Sequence, residues 1–65
     1  MTDHGRPHYA LRKDGEFTWE IFNVVTGRTV SIAGKLKCNM PLDEADNEVV
    51  ALNAGVLVAD DNEGH

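Results

Sequence analysis

Apolar and polar side chains alternate twice near the start of the chain. Tyr9 and Leu11 are separated by Ala10 and followed by Arg12, and Phe17, Trp19 and Ile21 alternate with Thr18 and Glu20. A period of two is the signature of a half-buried strand. The pattern predicts strands at about 8–12 and 17–25, joined near Asp14-Gly15. A two-residue loop there would set Leu11 against Thr18 and Tyr9 against Glu20. A three-residue loop, Lys13-Asp14-Gly15 with Gly15 as a left-handed bulge residue, sets Leu11 against Phe17, Tyr9 against Trp19 and Arg12 against Glu16. Burial favours the second register.

A third strand is expected at about 28–33, after a turn at Thr26-Gly27. With a two-residue turn, Ile21 pairs with Ile32 and Asn23 with Val30, which keeps one apolar face through three strands. With Val25-Thr26-Gly27 as the loop, Phe22 pairs with Val30 instead. The first register is preferred for its continuous face, although threonine is poorly suited to a positive φ. Residues 33–40 form a connection in which Leu36 tucks inward and Lys35 and Lys37 stay in water.

The period then changes. Leu42, Ala45, Val49, Leu52 and Val56 recur at helical spacing, so a helix is expected over about 43–54, with Asp43 as its N-cap and Gly55 as its stop. The acids Asp43, Glu44 and Asp46 suit the positive end of its dipole. Four apolar residues, 56–59, would form either a short fourth strand or a tail along the core. The fold class is therefore α+β: a three-stranded antiparallel meander packed by one C-terminal helix. The domain spans 8–59, between a disordered leader, 1–7, and a disordered acidic tail, 60–65.

At 65 residues the chain has room for one thin core. Its net charge of -5 is unevenly spread. Residues 1–37 hold all six Lys and Arg against four acids, a net +2, whereas 38–65 hold seven acids and neither Lys nor Arg. A solvated acidic helix beside a mildly basic sheet accounts for the split. The single cysteine, Cys38, precludes an intrachain disulfide and suits a reducing cytoplasm. Neither a signal peptide nor a run of about 18 apolar residues is present, so no membrane association is expected.

Catalytic, cofactor-binding and metal-ligating constellations are not found. His4 and His8 are separated by Gly5 and Pro7, which disfavour the helix that would put them on one face. Cys38 has no second sulfur at a zinc-site spacing. The acids from Asp43 to Glu48 follow a helical rather than a calcium-loop period. The chain is thus expected to be non-enzymatic and to need no cofactor.

Two surfaces invite a partner. Phe22 and Val24 fall on the sheet face away from the helix, with Val50 and Leu57 off the main helical stripe. That is more apolar surface than a small monomer usually exposes, and it predicts a homodimer, with Phe22 and Val24 at its interface, acting as a protein-interaction or accessory module. The alternative is nucleic-acid binding through a basic sheet edge of Arg12, Lys13, Arg28, Lys35 and Lys37. The overall negative charge makes nucleic acid the less favoured partner.

Overall fold

Strand alternation takes hold where it was expected, but at a different offset. The computed structural model describes residues 8–60; the expected leader, 1–7, and residues 61–65 of the expected tail lie outside them. β1 (Tyr9–Lys13) and β2 (Trp19–Asn23) pair antiparallel, with Tyr9 opposite Asn23, Leu11 opposite Ile21 and Lys13 opposite Trp19. Relative to the expected register, Leu11 has moved from Phe17 to Ile21. The shift is even, so Tyr9, Leu11, Trp19 and Ile21 still share one face, as an even slip requires. Arg12 faces Glu20 rather than Glu16.

The longer connection has a clear cause. The Asp14 carboxylate accepts hydrogen bonds from Thr18 Oγ1 at 2.6 Å and from the Asn39 main-chain N–H at 2.7 Å. Asp14 N–H also donates to Thr18 O. These bonds hold residues 14–18 as one loop, in which Gly15 does not take the expected left-handed conformation. Phe17, expected in the core, stands 82% exposed in this loop.

The expected third strand, 28–33, is cut in two. Asn23 N–H donates to Arg28 O, Phe22 bridges Thr29, and Val30 N–H donates to Ile21 O. Neither expected register holds, because Ile21 meets Val30 rather than Ile32. The loop is 24–27, and its left-handed residue is Gly27, φ 78°, so Thr26 is spared the conformation it disfavours. After Val30 the chain leaves the sheet as a hairpin of β3 (Ser31–Ile32) and β4 (Lys35–Leu36). It returns at Lys37, whose carbonyl accepts from Ile21 N–H, and at Met40, which exchanges both main-chain hydrogen bonds with Trp19. Leu36, expected to tuck inward, is exposed on the hairpin.

α1 (Leu42–Asn53) follows, starting one residue earlier than expected. Pro41 takes the cap position with extended backbone angles, so Asp43 lies in the first turn and makes no side-chain cap. The acids Asp43 and Glu44 there favour the dipole. Ala45, Val49 and Leu52 are buried, whereas Leu42 and Val56, the ends of the expected stripe, are exposed. The helix closes on Gly55, φ 83°: Val56 N–H donates to Ala51 O and Gly55 N–H to Leu52 O, the two bonds of a Schellman stop. Residues 56–59 form no strand. They run as a tail that buries Ala59 and half-buries Leu57.

The core consists of Tyr9, Ile21, Val30, Met40, Ala45, Val49, Leu52 and Ala59, with Leu11, Trp19, Ile32 and Leu57 packed around it. Ile21 and Val30 are wholly buried. Ile21→Ala is expected to cost about 2–5 kcal/mol, as cavity-forming core truncations do. Phe17→Ser should change stability by less than about 0.5 kcal/mol, as an exposed substitution does. Urea denaturation of the two variants tests the assignment, and a larger loss for Phe17→Ser would contradict it.

Candidate functional site

The sheet face away from α1 holds a polar network. Arg12 Nε donates to Glu20 Oε2 at 2.5 Å, Arg12 Nη2 to Gly27 O at 2.9 Å, and Thr29 Oγ1 to Glu20 Oε1 at 2.6 Å. The Arg12 guanidinium lies 4.3 Å from the centre of the Phe22 ring. Phe22 is therefore half-buried beneath a cation, a stacking that Arg favours over Lys. The hydrogen bond from Thr29, then that from Arg12, hold the Glu20 carboxyl below its ordinary value of 4.5.

The residues of the basic edge are dispersed. Arg12 is committed to Glu20. Lys13 Nζ donates to Glu16 O and lies 5.9 Å from the Trp19 ring centre. Lys37, expected in water, is half-buried and ion-paired with Glu48 at 3.1 Å. Arg28 and Lys35 stand exposed at the 24–27 loop and on the β3–β4 hairpin. Cys38 is a half-buried free thiol. Among the described residues, no cluster of three His, Cys, Asp or Glu is placed to hold a metal ion.

A groove of about 380 Å³ opens at the end of the molecule where β1 begins and α1 stops. His8, Tyr9, Leu52, Asn53, Ala54, Gly55, Leu57 and Val58 form its walls. Asn53 shapes it. Its Oδ1 accepts from His8 N–H and Tyr9 N–H, both at 3.1 Å, and its Nδ2 donates to Tyr9 O at 3.1 Å. The amide side chain thus takes the place of a neighbouring strand at the start of β1, satisfying main-chain groups that an edge leaves open.

The 24–27 loop flanks the groove, since Val24 N–H donates to His8 O. Asn23 Oδ1 accepts from Val25 N–H and Thr26 N–H, and Thr26 Oγ1 accepts from Arg28 N–H. An Asn bonded two residues onward is an Asx turn. It holds Val24 and Val25 outward, Val25 at 76% exposure. On the other side stands Val58, 60% exposed. Neither 21–27 nor 51–59 contains a charged residue.

Of the expected interface pair, then, Val24 lies beside the groove and Phe22 under Arg12 on the sheet face. Sequence reasoning missed Asn53 and the loop clamps at Asp14 and Asn23. The signal for Asn23 was present, because an Asn just ahead of the expected Thr26-Gly27 turn can accept from the main-chain N–H two residues on. Asn53 carried none, since its partners lie more than forty positions away. No protein-family profile matches the chain, and neither the curated proteins nor the solved structures contain a significant match to it.

Asn53→Ala should cost about 1 kcal/mol in urea denaturation, as expected for losing exposed and part-buried hydrogen bonds whose groups water can partly reach. A change within error would show that water replaces the amide. Glu20 gives a pH dependence of definite sign. Its pKa is lowered by folding, so its contribution to stability is present above 4.5 and lost as pH falls through the folded value. Glu20→Gln should lower Tm at neutral pH and flatten its decline below pH 4.5. An identical acid decline in both proteins would remove Glu20 from that linkage.

Proposed function

We propose that the protein is a small non-enzymatic interaction module that self-associates as a homodimer through the end bearing the groove. The observation that carries this reading is the coincidence of an open groove lined by exposed Val58, a loop of exposed Val24 and Val25 bonded to its His8 wall, and a lack of charged side chains in the two segments that supply these valines. In a chain with 17 charged residues and a net charge of -5, two copies repel through most of their surface. The uncharged segments 21–27 and 51–59 offer a contact that buries few ions, with Arg28 left at its rim. The loop clamped by Asn23 is already ordered, which reduces the entropy lost on association. An accessory role in the cytoplasm accords with a lone unpaired thiol.

Sedimentation velocity at high micromolar concentration should give a dimer for the wild-type chain. Val25→Asp and Val58→Asp should each give a monomer with an unchanged circular dichroism spectrum. A wild-type protein that sediments as a monomer at every accessible concentration overturns the proposal.

A further inference from the structure

The turn of the β3–β4 hairpin is built around a carboxylate from the far end of the domain. Asp60 Oδ1 accepts from Ala33 N–H at 2.9 Å, and Oδ2 accepts from Gly34 N–H at 2.8 Å and Ser31 Oγ at 2.9 Å. Ala33 and Gly34 both have positive φ, 53° and 81°. This is the two-residue turn that suits a tight hairpin, and here its successive N–H groups converge on an anion. The bonds from Gly34, Ser31 and Ala33 hold the Asp60 carboxyl below its ordinary value.

Each side of this contact is weak without the other. The hairpin has two residue pairs, Ser31 with Leu36 and Ile32 with Lys35, too few to be stable alone. Its first turn residue is an alanine in a conformation that L side chains disfavour. The 56–60 segment belongs to no strand and is held by buried Ala59, half-buried Leu57 and the Asp60 carboxylate. Leu57 and Val58, in the middle of that segment, form one wall of the groove.

We propose that Asp60 is a latch: seated in the hairpin turn, it holds the 56–60 tail against the core and thereby maintains the groove wall through which two copies associate. The proposal rests, for its second half, on the self-association reading above. Closed, the latch orders hairpin and tail together. Open, it releases both, and the groove loses Leu57 and Val58.

The test compares the full wild-type chain with Asp60→Asn, which keeps the shape of the side chain but removes its charge and one acceptor. Amide hydrogen exchange should accelerate by about tenfold or more at Ala33 and Gly34, the scale of losing hydrogen bonds to a charged group. Leu57, whose N–H donates to Ala51 O, should accelerate with them, while Ile21 and Leu52 keep their protection, as a local opening requires. The dimer dissociation constant should rise in the same variant. Unchanged exchange at Ala33 and Gly34 overturns the latch, as does loosening of the hairpin with the tail still protected. A dimer of undiminished affinity despite a loosened tail overturns the link to the groove. If the wild-type chain is monomeric, the self-association reading and the link to it fail together, whereas the latch itself stands or falls on the exchange data. If Asp60→Asn unfolds the chain, Ser31→Ala removes one of the three bonds, and a failure to speed exchange at either hairpin or tail decides against the latch.

Discussion

Ile21 is the residue on which the remaining structure turns. Its side chain is wholly buried, its N–H donates to Lys37 O, and its carbonyl accepts from Val30 N–H. A single position in β2 thereby fixes the returning chain on both sides of the hairpin excursion. Because strand side chains alternate, placing Ile21 under the helix also places Trp19 there and sends Glu20 and Phe22 to the opposite face. The Arg12 network on that face is a consequence of the same phase, since Arg12 can reach both Glu20 and Phe22 only when they project together. The core and the outer polar face are thus two outcomes of one alternation.

A core of eight buried side chains among the described residues does not by itself define loops, and this chain has a single cysteine with which to staple them. Four short polar side chains take that role. Asp14 ties its loop to Asn39, Asn23 closes the 24–27 loop, Asn53 joins the end of α1 to the start of β1, and Asp60 seats the hairpin. Each satisfies main-chain N–H groups with side-chain oxygen, which is what irregular backbone near a thin core requires. Three of the four join residues at least 25 positions apart. They therefore hold tertiary structure rather than local turns.

That distinction explains what could be read from the residues alone. The α+β class, the shared face of Tyr9, Leu11, Trp19 and Ile21, and the helix stop at Gly55 follow from period and local propensity, and they are present. Loop lengths do not follow from period, because they depend on partners distant in sequence. Nothing near Asp14 announces Asn39, so the local pattern favours a short loop around Gly15 that would draw Phe17 into the core. The same short loop paired Arg12 with Glu16, which hid the contact that covers Phe22. The split third strand was equally inaccessible, because Ala33 is an unusual residue for the first position of such a turn and its acceptor is Asp60.

The polar clamps also bear on the proposed contact through one end of the molecule. Asn23 and Thr26 satisfy main-chain donors in the loop, Asn53 does so at the start of β1, and the Schellman bonds do so at the end of α1. These groups flank the groove, and each already has a protein partner. Covering this end would leave those donors satisfied, whereas covering the start of α1 would desolvate its exposed carboxylates. The absence of charge in 21–27 and 51–59 acts in the same direction. Local hydrogen-bond closure, needed first to hold a small fold together, leaves these main-chain donors without need of water.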